Sequence, residues 1–181
     1  LERLIEENSE RIARLEELIA QQAERLDRHE KRINKLTDDV AFLKGMVLEI
    51  RTTLRVPAIF GRMIRKAREA DLNAIFDQAY ALYDAGQLSA TEIEDLLNMD
   101  LVVEGNLRTD GQQPILLAVE VSFCIDANDV ERAARRAALL SRVTGQQAQG
   151  VVVGTQLTAE GKEAAQTHNV TWILQVLPRG D

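Results

Sequence analysis

From Leu1 to Leu54 the apolar positions recur at alternating steps of four and three. With Ile5 at heptad position a, the a residues are Ile5, Ile12, Ile19, Leu26, Ile33, Val40, Val47 and Leu54. Position d holds Leu1, Leu15, Leu36, Leu43 and Ile50, with polar Asn8, Gln22 and His29 between them. About eight unbroken heptads predict an α-helical coiled coil over residues 1–56, roughly 80 Å long at ~1.5 Å rise per residue. Mostly β-branched a residues with Leu at several d positions favour a parallel dimer. The g-to-e′ pairs Arg11 with Glu16, Arg25 with Glu30 and Asp39 with Lys44 are complementary across such a pair. The polar d residues, and apolar Leu4, Leu18 and Met46 at g, leave a trimer or an antiparallel bundle open. His29 reads as a core histidine bonded to its mate.

Pro57 lacks a backbone donor and biases Val56 away from helix, so the rod stops or kinks there. Residues 57–88 read as a helical neck. Helical spacing of Leu72, Ile75, Phe76, Ala79 and Leu82 predicts a helix from Asp71 to about Ala85, ended by Gly86. Ser89-Ala-Thr-Glu92 is a capping-box pattern for a helix reaching about Asn98.

Asp100 to Ser122 reads as two apolar runs around a polar segment centred on Asp110-Gly111, a hairpin pattern. Folding about that turn opposes residues whose numbers sum to about 221 and brings Asp100 within one residue of Glu120. Two acids side by side at the end of a buried hairpin are costly unless they share a cation or a proton. Beyond the hairpin, Asp126-Ala-Asn-Asp129 predicts the cap of a helix to about Val143. Arg132, Arg135 and Arg136 share a face of that helix. A buried strand at Gly150–Gly154, a helix capped by Thr158, and a strand at Thr171–Leu177 complete a mixed sheet.

An Asp opening one strand, about 20 residues ahead of a Glu-x-Lys tripeptide closing the next, with a helix and a strand following, resembles the core of the PD-(D/E)XK nuclease superfamily. The resemblance covers roughly residues 89–176. It departs at Glu120-Val121-Ser122, which carries Ser where the family usually has Lys. It implies an α+β fold with a restriction-endonuclease-like mixed-sheet core over residues 89–181, behind the coiled coil. It also implies Mg²⁺ or Mn²⁺ held by Asp100 and Glu120, with Ser122 beside the metal-bound water; if the arginine face looks back at the hairpin's open end, Arg135 or Arg136 approaches a scissile phosphate. Glu92, Glu94 and Glu69 are candidate sources of a third acid. The family's usual first strand, ahead of the Asp-bearing strand, is not evident in the sequence.

Composition narrows this reading. The net charge is −7, the pI is about 5.0 and aromatic residues make up 4%, which speaks against a general nucleic-acid binder with stacking platforms. Residues 58–181 carry 11 basic and 17 acidic side chains, a net −6. The sustained basic stretch runs from Arg51 to Arg68 with no acid in it; it reads as a solvated face or as a phosphate contact. One cysteine, Cys124, excludes an internal disulfide framework and fits a reducing, cytoplasmic location. No apolar run approaches membrane length. The chain opens at Leu1 without Met, as a trimmed or partial chain would. Two expectations follow. One is a coiled-coil-dimerised, Mg²⁺-dependent endonuclease-like protein hydrolysing DNA phosphodiesters, weakened by Ser122. The other is a catalytically inactive nuclease-like fold serving as a DNA- or protein-docking and assembly module.

Overall fold

The computed structural model describes residues 2–109 and 113–176 and divides into two compact units, Leu1–Leu43 and Lys44–Asp181. The first unit is helix over all its described residues, part of α1 (Glu2–Leu54). From Ile5 to Leu43 its a and d side chains are solvent-exposed. A coiled coil is a property of two or more chains; the single chain shows the long helix.

The second unit takes in the last turns of α1. Leu48 and Thr52, one turn apart, are fully buried there. The Thr52 hydroxyl donates to the Leu48 carbonyl (2.8 Å) and accepts from the Gln175 amide (3.2 Å). Helix α1 stops at Leu54, and α2 (Val56–Phe60) restarts with Pro57 in its first turn, where a missing N–H costs nothing.

The stretch that sequence pattern makes a helical neck then holds a strand, β1 (Ile64–Glu69). Its buried residues, Ile64 and Ala67, are three apart, a helical interval. A bulge causes this: the pairing register shifts between Arg65 and Arg68, and Lys66 takes a left-handed φ of 56°. Arg65, Lys66 and Arg68 stay exposed, and charge with a bulge is a usual guard on an edge strand. Helix α3 (Leu72–Asp84) follows, capped by Asp71, and then α4 (Ala90–Leu97), with the reciprocal Ser89 and Glu92 capping box in place.

Strands β2 (Leu101–Leu107) and β3 (Pro114–Ile125) pair antiparallel with Leu101 opposite Val119. The Asp110-Gly111 turn that predicts this hairpin lies outside the described residues. Helix α5 (Ala127–Thr144) carries a second capping box, from Asp126 and Asp129, and ends at Gly145 in a left-handed conformation. It joins β3 to β4 (Ala148–Leu157), parallel to β3. Helix α6 (Ala159–Thr167), capped by Thr158, leads to β5 (Thr171–Leu174), parallel to β4. The architecture is therefore α+β: a long N-terminal helix and a five-stranded mixed sheet in the order β1-β2-β3-β4-β5.

Strand alternation assigns the sheet's two faces. Odd-numbered Leu101, Val103, Leu117, Val119, Val151 and Val153 pack with Val56 and Phe60 of α2. Even-numbered Val102, Leu116 and Ala118 pack under α3, α4 and α5, and Val152 under α5 and α6. Asp100 and Glu120 have the parity of the second face, the one that α5 covers.

The seating of α5 depends on Gly150 of β4. A Cβ there would come within 2.9 Å of the Ala133 carbonyl carbon and oxygen. Gly150→Ala is therefore expected to push α5 off the sheet and cost about 1–3 kcal/mol, read as a lower urea midpoint. An unchanged midpoint would mean that α5 does not rest on this strand so closely.

Candidate functional site

The hairpin register continues one residue past β2 to set Asp100 opposite Glu120 on one face. The two carboxylates that the sequence singled out are brought together: Glu120 is raised first by burial, and the Asp100 charge pushes it further upward. Their settings differ. Asp100 lies at the strand's exposed end and accepts a 2.7 Å hydrogen bond from the Val121 backbone N–H. Glu120, within β3, is only 3% exposed.

A buried carboxylate without a partner would be costly. Helix α5 supplies two partners. Arg136, 5% exposed, donates through Nη1 to Glu120 Oε1, and Arg132 donates through Nε to Oε2 at 3.2 Å. The two arginines are four residues apart, so one helical turn stacks them over the same carboxylate. Each is held in turn. Arg132 also donates to Asp129, the N3 residue of its own helix, and Arg136 donates to Asp95 of α4 at 2.9 Å. The result is a connected network, Asp129–Arg132–Glu120–Arg136–Asp95, tying α4 and α5 to the middle of the sheet. Among the described residues no buried side-chain polar atom lacks a partner.

Of the two arginines that the sequence offers for the site, Arg136 is at Glu120 and Arg135 is not. Arg135 lies on the flank of α5 and forks onto both oxygens of Asp95, at 2.7 and 3.2 Å. The shared face of the three arginines was legible; the rotation that sends Arg132 and Arg136 to the sheet and Arg135 to α4 was not. Ser122 is engaged within its own strand. Its hydroxyl donates to the Cys124 carbonyl at 3.0 Å.

The candidate third acids also lie elsewhere. Glu92 caps α4 and pairs with Arg142, and its carboxyl is pulled down to about 2 by the Ser89 N–H and then by Arg142. Glu94 is exposed on α4 and Glu69 ends β1. The acid that does approach Asp100 is Glu49 of α1. Its carboxyl is raised by burial and then by the Asp100 charge. No local signal marks Glu49, which reads as an outer position of the heptad, 51 residues before Asp100.

These electrostatics separate the groups. Burial raises Asp100; the Val121 N–H, and then Arg136 and Arg132, oppose it. Burial likewise raises Glu120, with Arg136 the chief opposing influence. Asp95 is lowered, first by the Arg135 hydrogen bond. Mg²⁺ and Mn²⁺ need carboxylate oxygens that are free to coordinate. Both oxygens of Glu120 are engaged by guanidinium groups. Among the described residues no three carboxylate, His or Cys side chains converge closely enough to hold a metal ion. The donor set as arranged does not fit the ion that the sequence resemblance implies.

No protein-family model matches this chain, and no curated protein does. A solved structure titled "crystal structure of a repair endonuclease from Pyrococcus abyssi" overlaps 43% of this chain at 20% identity, with a TM-score of 0.35. The overlap covers 34% of that endonuclease's own length. Among the described residues no helix is long and apolar enough to cross a membrane.

The network and the acid beside it can each be tested by substitution. Removing Arg136 alone leaves Glu120 buried with half its partners, so Arg136→Met is expected to destabilise by about 3–5 kcal/mol. The double variant with Glu120→Gln should recover much of that loss in a thermodynamic cycle; equal losses in single and double variants would deny the pairing. The second test concerns Asp100. Its folded pKa stands above the ordinary 3.8, so the folded state binds the proton more tightly than the unfolded chain. Stability then falls as pH rises from 3.8 through the raised folded value, and is level above it. Asp100→Asn keeps an acceptor for Val121 and removes this dependence. It should raise the melting temperature at pH 7, by a margin that shrinks as the pH is lowered towards 3.8. A lower melting temperature for the Asn variant at pH 7 would contradict it.

Proposed function

We propose that the sheet domain is a nuclease-like docking module, carried on a long helix, whose hairpin carboxylates hold the fold together and do not hydrolyse phosphodiesters. The observation that supports this is the double engagement of Glu120 by Arg132 and Arg136. A carboxylate whose oxygens both accept from guanidinium groups is already neutralised. A cation would have to displace charge-assisted hydrogen bonds that α5 presents at no further cost in ordering. The position of Ser122 agrees, since it places no positive group beside the acids.

The class of partner is suggested by the exposed edge of the sheet. Arg65 and Lys66 stand there, with Arg62 in the turn before the strand, and no acid lies in the Arg51–Arg68 stretch. An acidic partner, duplex DNA included, suits that edge.

A second reading is Mg²⁺-dependent cleavage of DNA. Asp100 favours it: among the described residues it is paired with no guanidinium, and its carboxyl is raised. That reading requires the arginine network to open.

Plasmid nicking and calorimetry with Mg²⁺ and Mn²⁺ separate the two. The wild-type chain is expected to show no EDTA-sensitive nicking above an Asp100→Ala control, and no cation binding. Ser122→Lys, the change that restores the family's tripeptide, is expected to create no nicking, because Glu120 stays on its arginines. Cleavage that EDTA and Asp100→Ala both abolish, in either chain, would establish the enzyme reading instead. In the same samples, duplex DNA binding followed by anisotropy should weaken on Arg65→Ser with Lys66→Ser.

A further inference from the structure

We infer that α1 is a two-sided helix, binding its own domain with one face and a second copy of this chain, parallel and in register, with the opposite face. The domain-binding face is local. Leu48 and Thr52, at heptad positions b and f, are fully buried in the second unit, and Gly45 at f is half-buried, as are Arg51 and Thr53 on the flanks of the seam at e and g. In the same turns the seam residues Val47, Ile50 and Leu54 are exposed by 53, 55 and 78%. With ~3.6 residues per turn, Leu48 and Thr52 lie roughly 150° around the helix from the a/d seam. A partner on the seam therefore has access along the turns where the domain is attached.

The seam is apolar and uncovered beyond those turns as well. Its apolar a and d residues from Ile5 to Leu54 are exposed by between 47% at Val40 and 78% at Leu54. A long apolar stripe, interrupted at d by Asn8, Gln22 and His29, on a 53-residue helix is an association surface, since isolated helices draw most of their stability from a packed face.

Charge identifies the occupant. The ion pairs and side-chain amide contacts within α1 lie on the outer positions b, c and f: Arg14 with Glu10, Lys31 with Asp27, and Gln21 with Glu17. The charges that flank the seam, Arg11 and Arg25 at g and Glu16 and Glu30 at e, have no such intrachain partner among the described residues. In a parallel, in-register pair each g residue faces the e′ residue five positions on. Arg11 then meets Glu16 and Arg25 meets Glu30 of the second copy, twice each by symmetry. Lys44, the e′ partner of Asp39, sits 5.3 Å from the Phe123 ring centroid of its own chain, so this third pair has a competitor. A second copy thus satisfies both the apolar stripe and the unpaired flanking charges. This inference is independent of whether the domain docks or cuts.

The test uses the whole chain. Sedimentation equilibrium at micromolar concentration is expected to give a dimer for the wild type. Ile19→Asp with Ile33→Asp should give a monomer that loses rod helicity by far-UV circular dichroism and keeps cooperative unfolding of the domain. Arg11→Glu with Arg25→Glu, which spares the apolar seam, should raise the dimer dissociation constant by about ten-fold or more, and adding Glu16→Arg and Glu30→Arg should restore it. Orientation is read from Ile12→Cys in a Cys124→Ser background, which should oxidise to a disulfide-linked dimer in a parallel pair. A wild-type monomer or trimer, no rescue by the charge reversal, or no Ile12→Cys crosslink would each overturn the parallel pair.

Discussion

A carboxylate on the covered face of a sheet sets the terms for everything packed over it. Glu120 lies in β3 beneath α5, where water cannot reach it. Its charge has to be balanced by something that approaches from the same side. In this chain α5 does so with Arg132 and Arg136, and each arginine is itself braced by an acid, Asp129 or Asp95. The angle of α5 about its own axis and the approach of α4 are both fixed by these contacts. Apolar packing of Val130, Ala133, Ala137 and Leu140 holds α5 down, but non-directional contacts of that kind specify its rotation weakly. The ionic network specifies it, at a cost in desolvation that apolar residues would not incur.

Helix α1 solves a different problem with the same economy of faces. The a and d seam of this long helix is not what the globular domain packs on, since Val47, Ile50 and Leu54 stay exposed beside it. The chain attaches its domain through Leu48 and Thr52 on the opposite side, and the hydroxyl of Thr52 is held by the helix carbonyl and by Gln175. The Pro57 break lets α2 turn Val56 and Phe60 into the core directly after the attachment.

Features fixed by local chemistry were legible in the sequence. The capping boxes at Ser89 and Asp126, the cap at Thr158 and the hairpin of β2 and β3 depend on neighbours a few residues away or on one turn. The strand alternation that puts Asp100 and Glu120 on one face follows from the hairpin register. What sequence pattern could not give was decided at longer range. Strand β1 hides because the bulge at Lys66 spaces its buried residues like a helix. Glu49 reaches Asp100 only because the end of α1 docks on the domain. Which of three neighbouring arginines meets Glu120 depends on a rotation of α5 that propensity does not encode.

Ser122 and the arginines are best understood as one arrangement. A Glu-x-Lys strand places its balancing charge two residues along, on the same face as the glutamate, from the strand itself. Here that position carries a hydroxyl turned to the Cys124 carbonyl, and the balancing charge descends from the helix above. The two solutions differ in what they leave free. A strand lysine neutralises from one side and leaves carboxylate oxygens facing the hairpin's open end. Two guanidinium groups from α5 take both oxygens and leave Asp100, backed by one N–H and flanked by Glu49, as the acid that still faces solvent. The acidic pair therefore persists in position while its two members have separate employment, Glu120 inside the fold and Asp100 at its surface.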